Sequence, residues 1–367
     1  MSRRRFGNIT RLPSGRYRAR YPGPDGRARN APTTFATKAE ADRFLSDQDR
    51  DLHRGAWMDP RLRSVTLASY VADWLPHRPL APRTRELYGD LLRLHLLPQL
   101  GGYPLSKITP ATVRAWRHAR SQATGPTRTR QAYSLLRTVL TTARVDGLIQ
   151  ENPCQIKGAG QEHTPERPLV TLPDLYALSD AIEDEFELPV LLAYFAHLRM
   201  GELLGLRRGD VNLKAAELRV ERQLIRVGGV LTEGPPKAES SRTVPLLDQV
   251  VEALHDHLTR SGPALPTASL FVRSDGTRMQ AHHVGRAWRR ARVEVGRPDF
   301  HFHDLRGGGL TLASQSGATI REVMGLDGHK TARAAMIYQH LAAARGPEIA
   351  AGMSPLAKAA QQSRRGL

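Results

Sequence analysis

The chain has one cysteine, Cys154, among its 367 residues. A lone thiol excludes an internal disulfide and any zinc knuckle or finger built on cysteine. Long apolar runs are missing as well: the longest, near residues 188–196, is about half of what a bilayer crossing needs. The N-terminal MSRRRFGNIT is basic but has no apolar segment behind it, so it does not read as a secretory signal and a cytoplasmic protein is expected. Lysine is scarce, at 7 of the 54 basic residues. Arginine therefore supplies most of a formal net charge of +18. A guanidinium is always ionised and forks onto phosphate oxygens, which points to a polyanionic partner. A GC-rich genome would favour arginine over lysine, but it would not create the excess of positive charge. With 40% apolar residues the chain is globular, and its length suits two or three domains.

The charge is unevenly spread. Residues 1–62 hold 14 basic and 7 acidic residues, residues 63–164 hold 14 and 6, and residues 165–367 hold 26 and 23. The first 164 residues thus carry +15 of the +18, which marks the front half as the phosphate-facing part. Residues 7–35 read as short strands around the turn PGPDG. Thr37 and Glu40 form a capping box that opens a helix carrying Phe44, Leu45 and Leu52, so a three-stranded sheet packed by one helix is expected. Arg16, Arg18 and Arg20 alternate and should share one strand face, where only a polyanion relieves their repulsion.

Residues 66–150 read as all-helical. Thr66 caps a first helix, and Leu87, Leu91, Leu94 and Leu97 mark the apolar stripe of a second over residues 83–97. Thr109 and Pro110 start a third, and residues 127–145 form a fourth that Gly147 closes. Arg114, Arg117, Arg120, Arg128, Arg130 and Arg137 lie on these helices with few acidic neighbours, which suits a module that clasps DNA. The Gly/Pro-rich residues 151–168 read as a linker. Beyond it, helices at residues 174–182, 188–196 and 201–206 precede a sheet segment, and helices dominate after that. Glu183, Asp184 and Glu185 read as a solvated helix terminus without a function.

Four fragments of this last part share one ligand class. RMGEL offers Arg199 at a helix start with Glu202 three residues on, and EGPPKAESSRTVPL places Lys237 in a turn between strands. HDLR sets His303 and Arg306 one helical turn apart. His329 lies nine residues before Tyr338. Two arginines, a lysine, two histidines and a tyrosine do not make a metal site. Around a phosphodiester, arginines would hold the non-bridging oxygens, a tyrosine would attack, and lysine or histidine would move protons.

That order resembles the tyrosine recombinase (phage integrase) family, whose pattern is R…K…HxxR…H…Y. The local contexts RMGEL, SRTVPL and HDLR agree with it. Two departures stand out. Gly307 and Gly308 replace the histidine and threonine that commonly follow HxLR, and Leu326-Asp327-Gly328-His329-Lys330 replaces the common LGHS.

The resemblance implies a multidomain α+β protein. It divides into an arm-type DNA-binding domain of sheet plus helix (residues 1–62), an all-α core-site DNA-binding domain (63–155) and a linker (156–168). A mixed, mainly α catalytic domain with a small antiparallel sheet (169–350) and a C-terminal tail (351–367) follow; the tail reads either as a segment that docks on a neighbouring protomer or as a disordered end. It also implies a site-specific recombinase. Tyr338 would form a 3′-phosphotyrosyl link. Arg199 and Arg306 would clamp the phosphate, with His329 adding a hydrogen bond. Lys237 would act as general acid with His303 assisting, and Glu202 would orient Arg199. No metal or other cofactor is implied. The implied partners are double-stranded attachment-site DNA, three further copies of the chain in a tetramer, and a directionality factor or host DNA-bending protein; no membrane is involved. Competing readings are a non-catalytic DNA-binding regulator on the same fold, a metal-dependent nuclease, and a resolvase or transposon recombinase.

Overall fold

The computed structural model describes residues 6–55, 57, 59, 62–161, 167–237, 240–328, 336 and 355. The chain forms two compact units, residues 1–163 and 164–367. Their boundary falls inside the expected linker.

The first unit holds two separate apolar cores. The smaller lies under an antiparallel sheet, β1 (Asn8–Arg11), β2 (Tyr17–Pro22) and β3 (Ala28–Asn30), with β2 central. One helix, α1 (Lys38–His53), covers it, and Thr37 and Glu40 make the expected capping box. Strand alternation decides the faces. Ala19 and Tyr21 are buried against Ala41 and Leu45 of α1, while Arg18 and Arg20 point outward opposite Thr10 and Asn8. Arg16 lies one residue before β2, and its guanidinium bonds the Thr34 hydroxyl at 2.8 Å and carbonyl at 2.6 Å.

The larger core belongs to helices α2 (Leu67–Trp74), α3 (Pro82–Leu91), α4 (Leu97–Leu100), α5 (Pro110–Ala123) and α6 (Pro126–Val145). Thr66 and Thr109 cap α2 and α5 as expected. The single helix expected over residues 83–97 differs. A π-type turn, Leu92–Leu96, joins α3 to α4 and inserts extra rotation. Leu91, Leu92, Leu96 and Leu100 therefore face the core, and Leu94, expected on the apolar stripe, is 48% exposed. Ile156 and Ala159, at the start of the expected linker, pack on this core, and the Ile156 N–H donates to the Tyr133 hydroxyl at 2.9 Å.

The second unit begins with α7 (Leu172–Ala181), α8 (Asp184–Phe195) and α9 (Met200–Gly205). Strands β4 (Val211–Asn212), β5 (Glu217–Val220) and β8 (Arg242–Pro245) form one antiparallel sheet. Strands β6 (Gln223–Val227) and β7 (Val230–Gly234) form a separate hairpin, so two small sheets stand where one was expected. Helices α10 (Asp248–Arg260), α11 (Ala281–Glu294), α12 (Asp304–Gln315) and α13 (Ile320–Asp327) complete it. The run Glu183–Glu185 does form a helix start, and Glu183 pairs with Arg290 at 2.7 Å. No described helix is long and apolar enough to cross a membrane.

The packing of α12 on α8 is unusually close. A Cβ at Gly308 would sit 2.4 Å from the Val170 carbonyl oxygen, and one at Gly309 would sit 1.9 Å from that of Tyr194. Glycine at 309 lets the backbones of α12 and α8 touch, and glycine at 308 admits the carbonyl of Val170, just before α7. The run Gly307-Gly308-Gly309 leaves α12 unbroken from Asp304 to Gln315.

Candidate active site

Helix α9 begins at Arg199, and Glu202 in its first turn folds back onto that start. The Arg199 N–H donates to Glu202 Oε2 at 3.1 Å, and Arg199 Nη1 donates to Oε1 at 2.7 Å. Glu202 is fully buried, so its charge requires compensation. Three arginines supply it. Arg199 comes from its own helix, Arg242 from the start of β8 at 3.0 Å, and Arg306 from the first turn of α12 at 3.7 Å. Burial alone would push the Glu202 carboxyl up. The hydrogen bond and charge of Arg242, joined by Arg199, outweigh burial and hold it below the usual carboxylate range.

Between α8 and α9 the chain reverses through His197, whose φ of +52° is left-handed. The turn aims the His197 carbonyl at two guanidiniums. It accepts from Arg306 Nη1 and, at 3.3 Å, from Arg242 Nη2. The His197 ring is buried, and burial pushes it down to about 3, with Arg306 and Arg242 adding to the effect; it is neutral at physiological pH. His303 is the cap residue of α12 and is held below its ordinary value by desolvation first, then by Arg306 and Arg167. An uncharged imidazole is thereby kept one helical turn from Arg306. Asp304, 3% exposed, accepts from Arg167 at 2.9 Å and from the His301 N–H at 2.7 Å, which ties the start of α12 to the segment before α7 and to the residues just ahead of it.

Lys237 lies in the connection from β7 to β8, is exposed, and has no hydrogen bond or ion pair with a described residue. The base of that connection is fixed. Glu233 pairs with Arg207 at 2.6 Å and Arg278 at 3.0 Å, and the Gln223 amide donates to the Pro235 carbonyl at 2.8 Å. Three residues past Lys237, Ser240 Oγ accepts from Arg199 Nη1 at 3.4 Å. Helix α13 ends on the same segment. A Cβ at Gly328 would lie 2.7 Å from Ser240 Cβ.

The structure thus brings Arg199, Glu202 and Arg306 into one cluster, with His303 beside it in the chain and the Lys237 connection touching it through Ser240. His329 and Tyr338 lie outside the described residues, as does the expected tail after residue 350 apart from Pro355.

Sequence reasoning missed Arg242, Ser240 and the His197 carbonyl. Arg242 left a signal. On β8 it shares a face with the buried Val244, and a cation on the inward face of a strand needs a partner.

Among the arginines expected to meet DNA, Arg18, Arg20, Arg114 and Arg128 are exposed, and Arg117 and Arg130 are half-buried. Arg128 bonds the Gln131 side chain at 3.2 Å. Burial, followed by the charges of Arg120 and Arg128, holds His95 on the π-type turn below its ordinary value; these two arginines therefore gather near it. No group of three metal-ligating side chains occurs among the described residues.

Three family models match the chain: "Phage integrase, N-terminal domain" over residues 5–54, "Phage integrase, N-terminal SAM-like domain" over 66–119, and "Phage integrase family" over 172–345. The chain is 38% identical over 365 residues to the putative prophage phiRv2 integrase of Mycobacterium tuberculosis, covering 97% of each. It is 35% identical over 374 residues to the integrase of Mycobacterium phage L5, covering 98% of this chain and all of that one. Among solved structures, the Tn1549 transposon integrase with circular intermediate DNA aligns with a TM-score of 0.69 at 19% identity, over 80% of this chain and all of that one. A lambda integrase tetramer bound to a Holliday junction aligns at 0.61 and 20% identity, over 92% and 96%. At those identities the structural matches speak for the fold.

Proposed function

Because the chain belongs to the phage integrase family, it is a tyrosine-type site-specific DNA recombinase, and we propose that it cuts and rejoins DNA through Tyr338. The Tyr338 oxygen attacks the scissile phosphorus, the bond to the 5′-oxygen breaks, and a 3′-phosphotyrosyl link remains. Arg199 and Arg306 hold the non-bridging oxygens and the charge that grows on them, and His329 donates a further hydrogen bond. Lys237 protonates the leaving 5′-oxygen, and the neutral His303 assists proton transfer. Glu202 orients both arginines. A 5′-hydroxyl of the partner strand reverses the step. The phosphodiester energy stays in the covalent link, so neither metal nor ATP is required.

The observation that carries this reading is the shared carboxylate. Arg199 and Arg306 start 107 residues apart and converge within 2.7 and 3.7 Å of Glu202. Arg306 is only 2% exposed.

In the same reading residues 1–62 bind arm-type sites through Arg16, Arg18 and Arg20. Residues 63–155 grip the core site through Arg114, Arg117, Arg128 and Arg130, the linker spans 156–168, and residues 169–350 carry the chemistry. The enzyme works in the cytoplasm as a tetramer on DNA. A directionality factor or host DNA-bending protein sets the direction of exchange.

A nicked suicide DNA substrate tests the reading. Wild-type enzyme should form a covalent adduct, and Tyr338→Phe should bind the DNA without forming one. An adduct with Tyr338→Phe would overturn it.

A further inference from the structure

We propose that Arg242 is a positioning residue that locks the Arg199–Glu202 pair and the end of α13 into one frame, so that the segment entering His329 is registered against the phosphate-holding arginines. The proposal rests on the recombinase reading above and assigns a role to a residue outside the six-residue pattern.

The guanidinium of Arg242 is used on every side. Its Nη2 donates to Glu202 Oε2 at 3.0 Å and to the His197 carbonyl at 3.3 Å, Nη1 donates to the Ser240 carbonyl at 3.3 Å, and Nε donates to the Leu326 carbonyl at 2.9 Å. Its side chain is 7% exposed, and these four hydrogen bonds commit its guanidinium to acceptors of the protein itself. The four acceptors lie on three segments far apart in sequence. His197 and Glu202 bracket Arg199, Ser240 closes the Lys237 connection, and Leu326 stands in the last turn of α13. Leu326 is three residues before His329.

The chemistry favours arginine here. A planar fork with five N–H groups can serve several fixed acceptors at once, whereas lysine offers a single point charge. Arg242 is also the main cation that keeps Glu202 ionised despite its burial. Removing it withdraws the foremost of the three cations that compensate Glu202 and frees the α13 terminus. The groups facing Glu202 would then be Arg199 and Arg306, with the neutral His197 behind them.

The experiment compares wild type, Arg242→Met and Arg242→Lys on a nicked suicide substrate. Single-turnover adduct formation and DNA affinity are measured separately, from pH 5 to 8.5. Arg242→Met should cleave about 10- to 100-fold more slowly, as expected for a shift of roughly 1 Å at the reacting centre, with DNA affinity within twofold of wild type. Its rate should also show an acidic limb, because Glu202 has lost the cation that kept its carboxyl charged. Arg242→Lys keeps the charge but not the fork. It should show no acidic limb and an intermediate rate, and it decides the matter if the methionine variant does not fold.

Equal rates in wild type and both variants would overturn the proposal. A parallel fall of affinity and rate with no new pH limb would also overturn it, because that pattern belongs to a purely structural residue. Failure of the wild type to form any adduct would instead overturn the recombinase reading.

Discussion

The tight seat of α12 on α8 makes a sharp prediction at Gly309. In Gly309→Ala the new methyl would fall 1.9 Å from the Tyr194 carbonyl oxygen and 2.8 Å from His197 Nδ1. Carbon–oxygen contacts of this kind settle at about 3.3–3.6 Å. The oxygen belongs to helix backbone and cannot swing aside, so α12 must back away by roughly 1–1.5 Å. Overpacking of this kind costs typically about 1–3 kcal/mol. At about 2–4 °C per kcal/mol for a unit of this size, the melting temperature of the second unit should fall by about 2–12 °C. The displacement also reaches Arg306, three residues earlier on the same helix, whose hydrogen bond to the His197 carbonyl and contact with Glu202 depend on that seat. Adduct formation should fall by roughly 100-fold at a temperature where the variant is still folded. Gly285→Ala on α11 is the control, since a Cβ there meets nothing within 4 Å and the helix should gain about 0.5–1 kcal/mol. Melting by circular dichroism and single-turnover cleavage read both effects. A Gly309→Ala protein with wild-type melting and wild-type cleavage would refute the geometry of the α8–α12 contact.

Other perturbations follow from the same geometry. Glu202→Gln leaves three arginines around an uncharged amide and should destabilise the catalytic unit by about 3–5 kcal/mol in urea unfolding at pH 7. The folded carboxyl titrates below the usual value of 4.5, so its contribution is present above that pH and is lost as pH falls through the folded value. The difference between wild type and Glu202→Gln should therefore shrink only below about pH 4.5, and a difference constant down to pH 3 would contradict the assignment. On β2, Arg18→Ala and Arg20→Ala should each lower the salt slope of binding to long attachment DNA by about 1 and leave cleavage of a minimal core site intact. Unchanged slopes for both would remove this strand face from the DNA interface.

Much of the site was legible in the sequence because its signals are local. Arg199 and Glu202 are three residues apart, as are His303 and Arg306, and helical geometry makes each pair a unit. The Arg18/Arg20 face followed from strand alternation, and the caps at Thr37, Thr66 and Thr109 from side-chain chemistry. What escaped depends on partners remote in the chain. The link from Arg242 to Leu326 spans 84 residues and that from Arg306 to His197 spans 109. The π-type turn at Leu92–Leu96 escaped for another reason. A leucine-rich segment fits an α-helical stripe and a π-type insertion equally well, and only packing against α6 decides which leucines face inward. The glycines after HDLR read from sequence as a departure. In the structure one of them, Gly308, leaves room for the Val170 carbonyl and the Tyr194 ring, and the next residue, Gly309, lets α12 close on the Tyr194 carbonyl.

In the proposed mechanism Tyr338 becomes covalently joined to DNA. The most direct measurement is to trap the wild-type enzyme on a nicked attachment-site substrate, digest the adduct and identify the nucleotide-bearing peptide by mass spectrometry. A 3′-phosphate attached to the peptide that contains Tyr338 is expected. A nucleotide on any other residue, or a 5′-phosphate linkage, would contradict it.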